Sequence, residues 1–308
     1  MDIPPQLDTF FIALSFVLGA MVGSFCNVCI CRWPAGESVI RPRSRCPQCS
    51  SGIAWYDNIP VVSWLLLGAK CRGCGAPISW QYPVVEGITA LLFLAVYAWF
   101  GFTIATPVYM ALCAGLVIVT FVDLREWIIP NEVSIPGIFA GIAVSLLGMA
   151  FPEGSALRVV SVFDALAGAA LGGLILYLLD RITILILKKP GMGFGDVKLL
   201  AMLGAFLGWT GVLGTLMLAC ILGSAVGLSL IVLEKLGGGT RDKGLGTGEE
   251  EQDAHATEKA LPGHYIPFGP YLALAGLIFL FFGPEAILAY WAALELPAEE
   301  LVPILQGL

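Results

Sequence analysis

Four of the nine cysteines stand as Cys46-Pro-Gln-Cys49 and, after 21 intervening residues, Cys71-Arg-Gly-Cys74. A C-x-x-C pair sets two thiols on one tight turn, and two such turns at this separation supply four thiolates able to close a tetrahedron around Zn²⁺. Four protein ligands leave no open position for a reacting water. The site is therefore expected to be structural, a staple for a segment of about 50 residues that is too small for a robust core. Four free thiols or two disulfides are the alternatives this spacing leaves. Cys26, Cys29, Cys31, Cys113 and Cys220 fall in or beside apolar stretches and read as small packing residues.

Two carboxylates stand apart from the loop acids. Asp123 closes a long apolar run ending Val-Thr-Phe-Val, and Asp196 opens another within Gly193-Phe194-Gly195-Asp196. A charged group at the end of an apolar helix is costly to desolvate, so it turns toward the bundle and finds a partner. Two carboxylates brought together repel and share one proton. Such a pair can run peptide hydrolysis, one member as general base on water and the other as acid on the scissile carbonyl. The glycines around Asp196 would let a substrate backbone approach closely. The plain alternative is that each Asp merely anchors a helix end. His255 and His264 are the only histidines and are assigned no role.

The elements that must position these groups are membrane helices. Of 308 residues, 58% are hydrophobic and only 13% charged, with a mean hydropathy of +0.87; soluble domains carry roughly twice that charge. A net charge of −7 argues against a nucleic-acid partner. Stretches free of Asp, Glu, Lys and Arg run over Thr9–Cys31, Gly87–Val122, Val133–Pro152, Leu199–Leu233 and Tyr265–Pro284. One crossing takes about 20 residues. Gly87–Val122 is therefore expected to split near Gly101 and Pro107, and Leu199–Leu233 at Gly208-Trp209-Thr210-Gly211. A further stretch, Ser161–Leu187, carries Asp180 and Arg181.

The expectation is an all-α polytopic membrane protein of about eight transmembrane helices, with a small cytosolic zinc-binding domain between the first and second. The crossing around 197–209 is the shortest. With no basic residue before it, the first span is retained and not a cleaved leader. Threaded from an outside N-terminus, fourteen of the sixteen Lys and Arg residues fall on one side, which the positive-inside rule makes the cytosol. Both termini then face out. Five G-x-x-x-G spacings, Gly19/Gly23, Gly137/Gly141, Gly168/Gly172, Gly204/Gly208 and Gly223/Gly227, read as sites of close helix packing. The polar, Gly-rich segment 237–263 reads as a disordered cytosolic loop.

Taken together, these motifs resemble those of the prepilin peptidases, also called type IV leader peptidases, of the G-x-G-D class of intramembrane aspartic proteases. Gly23-Ser24-Phe25-Cys26-Asn27-Val28 and Arg32-Trp33-Pro34 resemble the family's G-S-F-x-N-V and R-x-P. Asn58-Ile59-Pro60-Val61, Ser63-Trp64-Leu65 and Tyr82-Pro83 with Glu86 are similar to its cysteine region. Asp123 with Ile129-Pro130-Asn131 fits the first catalytic pattern, Gly191-Met192-Gly193-Phe194-Gly195-Asp196-Val197-Lys198 the second, and Pro267-Phe268-Gly269-Pro270 the motif opening the last span. Gln81 replaces an expected Arg, and Pro190 a common Glu.

The resemblance implies a bifunctional enzyme. It would cut the basic leader of type IV prepilins or type II secretion pseudopilins after Gly on the cytosolic side of the bacterial inner membrane. It would then N-methylate the new terminus with S-adenosylmethionine. Asp123 and Asp196 are the implied catalytic pair, and no methyl-donor contact is named. The implied division of the chain is a first transmembrane helix over 1–31, a cytosolic four-cysteine domain over 32–82 associated with methylation, a transmembrane peptidase core over 83–293 and an external tail over 294–308. Arg32 and Glu86 read as surface residues of the cysteine domain. Substrates would be held through their leader and N-terminal transmembrane helix, within the bilayer. The competing readings are a peptidase without methylation and, in a different class, a zinc-stapled transporter or scaffold.

Overall fold

A computed structural model describes residues 4–151, 155–159, 161–188, 193–236 and 267–293. The segments 237–263 and 294–308, the two histidines and Pro190 lie outside the described residues. The described chain is helical, without a strand: α1 (Pro5–Arg32), α2 (Val62–Leu66), α3 (Gln81–Phe100), α4 (Ala105–Glu126), α5 (Asn131–Ala150), α6 (Val162–Leu187), α7 (Phe194–Leu236) and α8 (Gly269–Ala293).

Six of these, α1 and α3 to α7, are long and apolar enough to cross a membrane. The long uncharged stretches divide where turn chemistry demands it. Gly101 ends α3 at φ +63°, a conformation open to a residue without a side chain. Pro107 sits in the first turn of α4, where its missing N–H costs nothing. Gly208, at φ +72°, breaks the 43-residue α7 into two legs. Asp164 of α6 closes that break, its Oδ1 accepting the Trp209 N–H at 3.2 Å. The described chain thus offers eight apolar helical legs, counting both legs of α7 and the apolar part of α8, Gly269–Gly283. At about 1.5 Å per residue the first leg of α7 is roughly 21 Å long, short of the ~30 Å hydrocarbon core.

Four of the five G-x-x-x-G pairs lie where helices meet closely, whereas Gly223 has only ordinary contacts, 3.7 Å or more, with Tyr271 and Phe268. A methyl group added at Gly19 would come within 2.7 Å of Ala90 Cα, and one at Gly23 within 2.7 Å of Glu86 Cα, so α1 and α3 pack backbone to backbone. Gly168 and Gly172 of α6 face Gly204 and Leu200 of α7 in the same manner. In lipid, where burial of apolar groups drives little, such close approach is what holds helices together. Helix α4 is the most enclosed, with Tyr109, Cys113, Leu116, Val119 and Val122 all essentially inaccessible.

Between α1 and α3 the chain has little regular structure: a 3₁₀ turn at Trp55–Asn58, α2, and two single bridges, Arg45 to Gly52 and Lys70 to Pro77. Glu86 is not a surface residue of this segment. It lies in α3, 6% exposed, and its Oε2 accepts the Val61 N–H at 2.7 Å. Arg32 is half-buried at the end of α1, donating to the carbonyls of Ser38 and Pro42 at 2.8 Å each. Both are built into the junction, so neither can be altered without disturbing the fold around it. Among the cysteines outside the knuckles, Cys26, Cys29 and Cys113 are buried packing residues as expected, whereas Cys31 and Cys220 are exposed.

Candidate active site and metal centre

Asp123 occupies the last turn of α4 and Asp196 the first turn of α7, both nearly enclosed at 5% and 8% exposure. They line one cavity of about 840 Å³. Sequence spacing placed both at helix ends; the fold brings those ends together.

Local backbone chemistry explains how. Trp127 terminates α4 in the left-handed region, φ +59°, its N–H donating to the Asp123 carbonyl at 3.0 Å. For a bulky residue this conformation is strained. It turns the chain sharply so that Ile128, Ile129 and Pro130 pass under the two carboxylates as a wall of the cavity. Pro130 then starts α5. Lys198 Nζ donates to Asn131 Oδ1, linking the first turns of α5 and α7 across the cavity. The same ammonium lies over the Phe194 ring, 5.4 Å from its centroid.

The two glycines before Asp196 differ: Gly193 is exposed on the cavity, where a Cβ would meet nothing closer than 3.5 Å, while Gly195 is packed against protein. A side chain on Gly195 would meet Ile129 Cβ at 2.9 Å, so that gap is filled by protein rather than kept for substrate. Gly269, at the start of α8, donates its N–H to Asp123 Oδ2 at 3.1 Å. A Cβ there would stand 2.5 Å from the same oxygen. Gly269 belongs to Pro267-Phe268-Gly269-Pro270, which sequence alone marked without a role. Trp33 and Pro34, just past α1, also line the cavity; the R-x-P resemblance marked them without a role.

The four knuckle cysteines converge at the same end of the molecule as α1's C-terminus, their sulfurs all within 4.8 Å of one another. A tetrahedron with Zn–S bonds near 2.3 Å has sulfurs roughly 3.8 Å apart. Cys46 and Cys74 Sγ stand at 3.8 Å. The two knuckles repeat one turn: Cys46 N–H donates to Ser51 O and Cys71 N–H to Ala76 O, while Ser50 N–H and Gly75 N–H return to the Cys46 and Cys71 carbonyls. The third residue past each pair's midpoint, Ser50 or Gly75, has positive φ to make that return. Hydrogen bonding from Ser51 pulls the Cys49 thiol down to about 6, and backbone N–H groups of Cys74 and Gly73 lower that of Cys71. Thiols biased to the thiolate are the form a metal binds. Hydrogen bonds from the other cysteines push Cys74 the opposite way, up to about 11, so the cluster gives up its first protons at Cys49 and Cys71. The number and spacing of these donors fit Zn²⁺.

An all-helical membrane protein with two carboxylates in one cavity and a four-thiol cluster in the segment between α1 and α3 belongs to a narrow class. Residues 17–100 match the bacterial peptidase A24 N-terminal domain and residues 110–228 the type IV leader peptidase family. Proteins named prepilin leader peptidase/N-methyltransferase are similar along nearly their whole length. The one from Myxococcus xanthus is 39% identical over 97% of this chain and 96% of its own. Those from Aeromonas hydrophila and Pseudomonas aeruginosa are 36% and 33% identical, over 92% and 91% of this chain and 94% and 93% of theirs. No solved structure matches the chain. The chain belongs to the type IV leader peptidase family and is an enzyme.

Proposed function

We propose that this protein removes the basic leader of type IV prepilins or type II secretion pseudopilins, cutting after Gly at the cytosolic face of the inner membrane, and N-methylates the amine it exposes. The observation that carries the peptidase half is the meeting of Asp123 and Asp196 in one cavity. One carboxylate takes a proton from water as the oxygen adds to the scissile carbonyl. The other, protonated, hydrogen-bonds the carbonyl oxygen, and the departing amine collects a proton as the C–N bond breaks. The Gly269 N–H fixes the Asp123 carboxylate for this work, and the Lys198–Asn131 contact holds the opposite wall.

The methylation half is supported by the names of the relatives and by the presence of the N-terminal domain. S-adenosylmethionine is the donor in this reading, supplying a methyl group activated by its sulfonium. The chain has no Gly-rich nucleotide loop in its cysteine region. Polar side chains gather instead where α1 meets α3: Asn27, Gln81 and Glu86, of which Asn27 Oδ1 and Gln81 Nε2 have no partner among the described residues. Zinc, held by Cys46, Cys49, Cys71 and Cys74, stiffens the intervening segment. The charge distribution supports a cytosolic location for that segment and termini outside the cytosol. Transporter and scaffold readings lose their ground to the family membership, and the intact four-cysteine set speaks against a peptidase alone.

The test is purified protein in detergent with a synthetic prepilin peptide and S-adenosylmethionine, read by mass spectrometry. Loss of the leader and a gain of about 14 Da on the new amine, one CH₂, are expected. An uncut peptide under conditions where the protein is folded would end the proposal.

A further inference from the structure

We infer that Trp33 is a specificity residue of the peptidase, contacting the side chain that follows the scissile bond; this rests on the peptidase reading above.

Trp33 lies ninety residues before the first catalytic candidate, in the stretch matching the peptidase A24 N-terminal domain and not in the one matching the leader peptidase family that holds both aspartates. Yet it lines the cavity that holds Asp123 and Asp196, with Pro34 beside it. Its placement is built. The Trp33 N–H caps α1 on the Cys29 carbonyl at 3.0 Å, its carbonyl accepts from Gly36, and Arg32 ties the loop behind it through Ser38 and Pro42. Half-buried, the indole packs partly on the bundle core and leaves the rest as cavity wall.

Three other segments bring aromatic groups to the same cavity: Trp127 past α4, Phe194 opening α7 and Phe268 before α8. Large flat apolar surfaces around a reaction centre favour a bulky apolar side chain over a small one. With Gly before the cut bond, the residue after it has the nearest side chain these walls can read. Trp33 is the member contributed by the N-terminal region, so the peptidase cavity is incomplete without that region.

The experiment uses the full-length protein in detergent and three prepilin peptides that differ only after the scissile bond, as Phe, Leu or Ala. For the Phe peptide, Trp33→Ala should raise KM about tenfold, the scale of a lost apolar contact, with kcat within about threefold. The preference for Phe over Ala should flatten, and Trp33→Phe should restore most of it. Zinc content and thermal unfolding are measured on each variant. If Trp33→Ala does not fold, Trp33→Leu is read for the same ratio. An active Ala or Leu variant that keeps the wild-type Phe-to-Ala ratio overturns the inference. Failure of the wild type to cut any peptide overturns the peptidase reading instead.

Discussion

Gly269→Ala is the sharpest test of the proposed active site, because it adds one methyl group and changes no charge. The new Cβ would sit 2.5 Å from Asp123 Oδ2, 3.1 Å from its Cγ and 3.2 Å from Ile129 Cδ1, where ordinary contact begins at 3.4 Å. The carboxylate oxygen must therefore retreat by about 0.9 Å, the difference between 3.4 and 2.5. It has little room to do so: Asp123 is 5% exposed on the most enclosed helix, and the Gly269 N–H that orients it moves with the same atom. Misplacing a reacting group by about 1 Å costs on the order of 10²-fold in rate. Cleavage of a prepilin peptide should lose about that factor in kcat, with KM nearly unchanged, because the methyl presses on the carboxylate rather than on the substrate walls. Gly87→Ala serves as control: a Cβ there meets nothing within 4 Å, and activity should stay at the wild-type level. Wild-type kcat in a folded Gly269→Ala protein would refute both the placement of Asp123 and its role.

Asp123→Asn and Asp196→Asn should each abolish cleavage, losses of at least about 10³-fold being the pattern for groups that act as one unit, while the proteins still purify as folded monodisperse species. Purified enzyme should contain about one zinc per chain by elemental analysis, and Cys71→Ser should lose metal and thermal stability together; a stoichiometric disulfide in its place would contradict the site. Proton release on zinc binding to the metal-free protein, measured by calorimetry in buffers of different ionisation enthalpy, should fall below four at pH 7, because Cys49 with its pKa depressed to about 6 is already a thiolate there. The same sign means that zinc affinity declines more steeply as pH falls through that value and protons compete for this thiol as well. Asp164→Ala removes the acceptor for the Trp209 N–H at the break in α7 and should cost about 1 kcal/mol of stability, the usual scale for a lost helix cap, with cleavage retained.

Composition and spacing alone carry the membrane class, the two knuckles and the two aspartates, because each depends on short-range rules. A long uncharged stretch must split at Gly101, and again at Gly208, since a crossing has a fixed length and glycine tolerates positive φ. Each C-x-x-C turn is closed by its own backbone hydrogen bonds, whereas the convergence of the two turns is a tertiary contact. Glu86 shows where that reasoning stops: its polarity placed it on a surface, yet it is buried because Gly23 opens a gap beside it and Val61 supplies an N–H from a loop 25 residues earlier. Gly195 shows it again, its missing side chain making space for Ile129 and not for substrate. The site itself is assembled from the ends of α1, α4 and α7 and the start of α8. Trp33, Asp123, Asp196 and Gly269 are separated in sequence by up to 236 positions and share one cavity only through helix packing and the strained turn at Trp127. Local pattern can mark such residues one at a time; contact between them is set by which helix ends the bundle brings together, and that is a property of the packed chain.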